Sequence, residues 1–390
     1  MKVPLRYKTI EDFAAWLSEG NHKPSAKFLR DMIVGIHSAR SVNLTEIAAV
    51  LNEDINQHAT QKRLSRNLIR KELADTVANQ ILNHAAEYVK TSTTLVVISH
   101  SLEKPKSRMM QYHDEFSCFT HADYSYRICE IVAHNPGTAF YTPLLSVLWS
   151  RHAPDYVSDT DEIQKAVERV LTATNGRGVL ALSPDFLPEK TIHELIQSQH
   201  YCFTAKIVNG NLIYHRQTHT IDDLIEHCDT PYGGTMFKLR GEDIKPTTEN
   251  LLFMQYGSVP IRLPDSQRPL KLVVLKTTNQ SGKVGNGMAV VTSELKNRSR
   301  QAHIERIETE FLVWNLAESI LEQKRNFSPD GFRVLNYERL QLLMTLLHAV
   351  IFFDAQTTEH LSNHGVSLQP IPGDYVRDFL LPGEAEALHR

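Results

Sequence analysis

Near Thr94 the spacing of apolar residues changes, and this change constrains the fold more than any other feature of the chain. Before it, apolar residues recur every three or four positions, in IEDFAAWL, KFLRDMIVGI, LTEIAAVL and LADTVANQIL. That is the period of helices with one buried face. After it come short apolar runs bounded by polar turns, at residues 95–98, 124–133, 179–182 and 201–207. Helical spacing returns between the later runs, at 161–174 and 190–198. Strands alternating with helices predict an α/β protein with a mixed sheet. Residues 208–295 are strand-rich again, in SVPIRL, LKLVVLKTT and GMAVVTS, and read as a β insertion. Two helices follow, near 302–324 and 337–353, and the tail after Asp354 reads as loosely packed.

Composition narrows the function classes. With 390 residues, the chain has length for two or three domains. Hydrophobic residues at 42% and charged residues at 22% fit a soluble globular protein. A net charge of −3 excludes a polycation, so nucleic-acid binding has to come from local patches. The four cysteines form no C-x-x-C pair, which argues against a zinc ribbon or a disulfide framework and fits a reducing cytoplasm. The N-terminus lacks a signal-peptide apolar stretch, and no run is long enough to span a bilayer, so no membrane is expected. None of the 19 histidines stands at a recognisable metal spacing.

The first 92 residues carry a pattern of their own. Asn43 followed by Glu46 suggests a capping box that opens a short helix with Leu44, Ile47 and Leu51 on one face. NEDINQ breaks the pattern, and a second helix starts near His58 with QKRLSRNLIRK. It holds Lys62, Arg63, Arg66, Arg70 and Lys71 with no acid among them. Helical spacing puts Arg63, Arg66 and Arg70 on one stripe, with Lys62 and Lys71 at its flanks. Short helix, turn, basic helix is the outline of a helix-turn-helix DNA reader. The plainer reading is a solvated helix face, the usual fate of a charge run. KNRSR, residues 296–300, adds Lys296, Arg298 and Arg300 as a basic linker that could also touch DNA.

Five segments in order resemble the DDE transposases of bacterial insertion sequences, the cut-and-paste group with an RNase H-like core. LTEIAAVLNEDINQHATQKRLSRNL looks like the family's DNA-binding segment. LVVISHSLEKPKS looks like its first catalytic strand, and GVLALSPDF like its second. HIERIETEFLVWNLA looks like its Tyr-x2-Arg-x3-Glu-x6-Lys helix, and FRVLNYERLQLLMTLLHAVIFF like the segment that closes the fold. The family's chemistry uses two divalent ions to clamp the attacking and leaving oxygens of a phosphoryl transfer. Such ions want hard oxygen ligands, mainly carboxylates. Carried over by position, the first acid falls on Ile98 and the second on Ser183, while the third is Glu310. His303 stands for the tyrosine, Arg306 for the arginine and Ala317 for the lysine. Two of the three metal-holding acids are therefore missing, and one carboxylate cannot fix two magnesium ions.

Glu103, Asp114 and Asp185 are the acids that could relocate the site, with magnesium as the only cofactor then implied. Glu310 also has a plain explanation as an i,i+4 ion pair with Arg306, on a face with His303 and Trp314 packed against the sheet. Cys118, Cys129 and Cys202 read as small hydrophobes, and PYGG at 231–234 as a turn. The expected organisation is a helical DNA-binding region (1–92), an RNase H-like core begun at 93–207, a β insertion (208–295), a helical closure (296–354) and a tail (355–390). The expected function is double-stranded DNA binding without strand cutting, with Arg306 among the DNA contacts. The resemblance implies a bacterial, nucleoid-associated homodimer, acting as a domesticated regulator or as part of a nucleoprotein or defence complex with further protein partners. Two alternatives stand beside it: a metal-dependent nuclease with a relocated acidic site, and an interaction scaffold without DNA binding.

Overall fold

The computed structural model of the protein describes residues 7–104, 109–117, 122–136, 138, 140–197, 201–237, 251–279, 287–295 and 300–357. They form an α/β structure with a helical N-terminal region and mixed β-sheet pairing. The described residues divide into two compact units. One takes the chain up to Gly178 together with the part from Leu316 onward; the other is Val179–Asn315.

The first unit opens with five helices: α1 (Ile10–Leu17), α2 (Lys23–Ala39), α3 (Leu44–Leu51), α4 (Gln57–Asn67) and α5 (Glu72–Ala86). Local chemistry sets their ends. Thr9 accepts from the Asp12 amide at the start of α1. Arg40 closes α2 in the left-handed conformation. On α2, Phe28, Leu29, Met32, Ile33 and Ile36 are fully buried, each contributing roughly 1.5–3 kcal/mol. Gly35 lets α3 come close: a Cβ there would sit 2.5 Å from Ile47 Cγ2.

Asn43 caps α3 as expected, accepting from the Thr45 amide at 3.0 Å. The reciprocal half of the capping box differs. Glu46 accepts from the Asn43 side-chain amide at 3.3 Å, and the Asn43 backbone amide goes to Ser41. Asn52 ends α3 with φ 42°, and Asn56 caps α4 by accepting from the His58 amide at 2.8 Å. The NEDINQ break is thus two helix ends back to back.

Four strands follow: β1 (Thr94–Glu103), β2 (Asp114–Ser117), β3 (Ala122–His134) and β4 (Tyr141–Trp149). All pair antiparallel around β3, with β1 on one side and β4 and β2 on the other. The strand expected to stop at residue 98 runs on to Glu103. Ser99, His100, Ser101 and Glu103 are polar, yet with Leu102 they keep their ladder with Cys129 to Ser125 of β3. Strand β4 went unread, its pattern interrupted by Pro143. Helix α6 (Asp159–Ala173) packs on β3 and β4, and Ser158 caps it by accepting from the Asp161 amide at 3.1 Å.

The second unit contains β5 (Val179–Leu182), α7 (Glu189–Gln197), β6 (Phe203–Lys206), the hairpin β7 (Asn211–Tyr214) and β8 (Gln217–Thr220), and α8 (Ile221–His227). Then come β9 (Tyr232–Phe237), β10 (Leu251–Ile261), β11 (Leu270–Asn279), β12 (Met288–Thr292) and the long helix α9 (Arg300–Arg325). Strands β5 and β6 are parallel; β6, β12, β11, β10 and β9 continue side by side, antiparallel. The strand-rich stretch therefore extends the sheet of β5 and β6. PYGG is not a turn: Tyr232 to Gly234 pair with β10. Ile304 and Ile307 of α9 pack against Met254, Tyr256, Val273 and Leu275. Gly257 is required by close approach, since a Cβ there would lie 2.1 Å from the Asp229 carbonyl oxygen.

From Leu316 the chain belongs to the first unit again. Helix α10 (Tyr337–Thr357) packs on α2, α5 and β4, with Leu343, Leu346, Val350 and Ile351 fully buried. The tail expected to be loose after Asp354 continues α10 to Thr357; the rest lies outside the described residues. Cys129 is buried, Cys202 is exposed rather than packed, and Cys118 is not described. Among the described residues no helix is long and apolar enough to cross a membrane.

Candidate functional site

Strand β5 is buried and delivers Ser183, itself fully buried, at its C-terminal end. The parallel register pairs Leu182 with Ala205, so Ser183 and Lys206 leave neighbouring strands side by side. Carboxyl ends of parallel strands are where open α/β sheets place their ligands. Glu310 comes to the same place from α9. Ser183 Oγ donates to Glu310 Oε1 at 2.6 Å and lies 3.3 Å from Asp185 Oδ2. Lys206 Nζ donates to Asp185 Oδ2 at 3.0 Å and lies 3.6 Å from Glu310 Oε1.

Burial raises the Glu310 carboxyl above its ordinary value, opposed by the Ser183 hydrogen bond and the Lys206 charge. Burial alone would lower Lys206, but its two carboxylates win and raise it. Both available acids are thus engaged by an ammonium. Among the described residues no group of three or more His, Cys, Asp or Glu is arranged to hold a metal ion.

Of the remnant triad, the structure brings Ser183 and Glu310 together. Ile98 belongs to the other unit. It is fully buried in the middle of β1, not at a strand end, and its cross-strand partner is Glu130. A second polar cluster lies beside it. Ser146 donates to Glu130 Oε1 at 2.9 Å, Lys324 Nζ contacts the same oxygen, and His100 Nε2 lies 3.6 Å away. Burial pushes the Lys324 ammonium down to about 7 and the His100 imidazole down to about 3. Of the alternative acids, Glu103 ends β1 and Asp114 begins β2, both in the first unit, where Asp114 lies 3.6 Å from His152. Only Asp185 joins Glu310.

On α9 the pairing of Arg306 and the exposure of Trp314 depart from the plain reading, while His303 is packed against the sheet as that reading has it. Arg306 pairs with Glu294, not Glu310. His303 Nε2 lies 2.7 Å from Ser258 Oγ, beside the Tyr232 ring. Trp314 is 55% exposed instead of packed on the sheet, and Ala317 is fully buried.

The basic segment is divided by the fold. Helix α4 ends at Asn67, so Arg70 and Lys71 sit in the turn before α5 and do not extend a stripe. Arg70 donates to Ser25, and Lys71 lies 3.7 Å from Glu338. Arg63 is committed inward, 2.8 Å from Asp31 and 2.7 Å from Glu53. Burial would raise Glu53, but hydrogen bonds from Lys27, Arg63 and Thr60 hold it at about 2. Arg63 is therefore a strut between α2 and α4, and the expectation that it is exposed is wrong. Lys62 and Arg66 are exposed, one helical turn apart, and no acid among the described residues pairs with either. Lys296 and Arg298 lie outside the described residues, as does the Arg300 side chain.

No family model and no curated protein matches this sequence. Among solved structures, the chain is similar to a piggyBac transposase in a synaptic complex with hairpin DNA. The identity is 9% and the TM-score 0.39, over 95% of this chain and 75% of that one.

Among the residues at these sites not singled out from the sequence are the two lysines, Lys206 and Lys324, and the Glu130 and Ser146 that meet Lys324. For Lys206 the sequence shows only a lysine closing the short strand FTAK; its meaning comes from the parallel pairing of that strand with VLAL. For Lys324 no local signal exists, because its partner Glu130 is 194 residues away.

Proposed function

We propose that the protein is a transposase-like DNA-binding protein that does not cut DNA. The observation that carries this reading is the α3–turn–α4 unit. It displays Lys62 and Arg66 outward while Arg63 and Arg70 are used internally. Exposed cations one turn apart on the second helix of such a unit suit phosphate contacts, and Arg66 can also reach a guanine edge. The absence of cutting is supported by Ile98, which offers no ligand atom, and by Glu310 and Asp185, which are both engaged by Lys206. The wider reading is a homodimer bound to double-stranded DNA, serving as a regulator or as part of a larger nucleoprotein or defence assembly.

The test is duplex-DNA binding measured across a salt series. Lys62→Gln and Arg66→Gln should each weaken binding and lower the salt slope by about one per lost contact. Binding by the double variant equal to that of the parent would leave the scaffold reading in its place. A nuclease reading is favoured by one observation, that Asp185 joins Glu310 at a strand end. Strand cutting with magnesium or manganese, lost in Glu310→Gln, would establish it instead.

A further inference from the structure

We infer that Lys206 is the resident cation of the Ser183–Asp185–Glu310 cluster, holding its carboxylates together without any metal ion. The inference rests on the non-cutting half of the proposed function and not on DNA binding: its failure would reopen metal-dependent cutting and leave the salt-series result untouched.

The geometry supports it in three ways. First, the ammonium touches both acids, at 3.0 Å and 3.6 Å, and the Ser183 hydroxyl donates to Glu310 at 2.6 Å and lies 3.3 Å from Asp185. Second, Glu310 has only 11% of its side chain exposed. Two carboxylates sharing one hydroxyl repel each other, and partial burial leaves that repulsion poorly screened. A cation is needed there if both are ionised. Third, the lysine is placed by the sheet itself. It closes β6 in parallel register with β5, and its stem lines a small cleft with Pro184, Ile192 and His193.

The experiment is thermal unfolding of the full chain, metal-free and with millimolar magnesium, calcium or manganese. The wild-type melting temperature should be the same in all of these conditions. Lys206→Met should melt several degrees lower in chelator and regain the loss when a divalent ion is added. Lys206→Arg should behave as wild type. Lys206→Met/Glu310→Gln, which removes one of the two repelling charges, should melt close to wild type and ignore metals. A merely structural lysine would give no metal rescue. If Lys206→Met does not fold without metal, folding of the double variant supports the inference and its failure to fold overturns it. A wild-type protein stabilised by divalent ions, or a Lys206→Met protein indifferent to them, also overturns it.

Discussion

Each unit contains a lysine, a serine and a glutamate meeting at one carboxylate oxygen. In the first unit, Ser146 and Lys324 converge on Glu130 Oε1. In the second, Ser183 and Lys206 converge on Glu310 Oε1. The chemical groups are the same and the surroundings are not. Lys324 and Glu130 have 6% and 1% of their side chains exposed. Lys206 has 25%, and its second partner Asp185 has 48%. A pair closed off from water costs desolvation of two charges before it gains anything, and it becomes expensive to break. A half-buried pair pays less desolvation and is partly screened on its solvent side, so it is worth less than the buried one while its charges stay accessible. The buried trio therefore reads as internal structure, and the edge trio as a cluster whose charges remain within reach of solvent.

The largest effect should come from breaking the buried pair. Lys324→Met leaves the buried Glu130 carboxyl without its cation, with Ser146 and His100 as its remaining polar neighbours, and should cost about 3–5 kcal/mol in urea unfolding. Replacing both partners, as Glu130→Leu/Lys324→Met, should recover most of that loss or exceed the parent's stability. A single variant costing no more than a surface change would erase the contrast between the two clusters.

At the edge, Ser183→Ala removes one hydrogen bond to a carboxylate and should cost about 1.5–3 kcal/mol. That loss is below the Lys324→Met value, and equality of the two would show that the edge is as closed to water as the interior.

The smallest effect is a pH slope. Burial raises Glu310 above its ordinary 4.5, so the folded chain keeps a proton that the unfolded chain has released. Its contribution is therefore full below pH 4.5 and fades as pH climbs through the folded value. Glu310→Gln should flatten the stability profile in that window, as read by urea midpoints at successive pH values. Glu53 runs the opposite way: held at about 2, it contributes above 4.5 and loses that contribution as the solution is acidified towards 2. A Glu310→Gln profile parallel to the parent's would place the carboxylate in water.

Much of the fold could be read in advance because it rests on local pattern. The five N-terminal helices, β5, α6, α7 and the strands β10 to β12 all announce themselves by apolar spacing and turn residues. What escaped was set by pairing over distance. The mostly polar stretch Ser99 to Glu103 stays in β1, where β3 offers it a ladder. The basic run of 62–71 looks continuous in sequence, but Leu68 ends α4, and Asp31 and Glu53 claim Arg63 from outside the run. At the edge, Ser183 and Glu310 were legible as positions. Lys206 was not, because its meaning depends on which strand β5 pairs with.

Gly257 has a consequence for substitution. The backbone at Asp229 passes so close that no side chain can be accommodated there without moving the main chain, and at Gly35 even a methyl group would displace Ile47. Exchange at these two positions has to move backbone or core, whereas exchange of an exposed cation such as Lys62 moves only solvent.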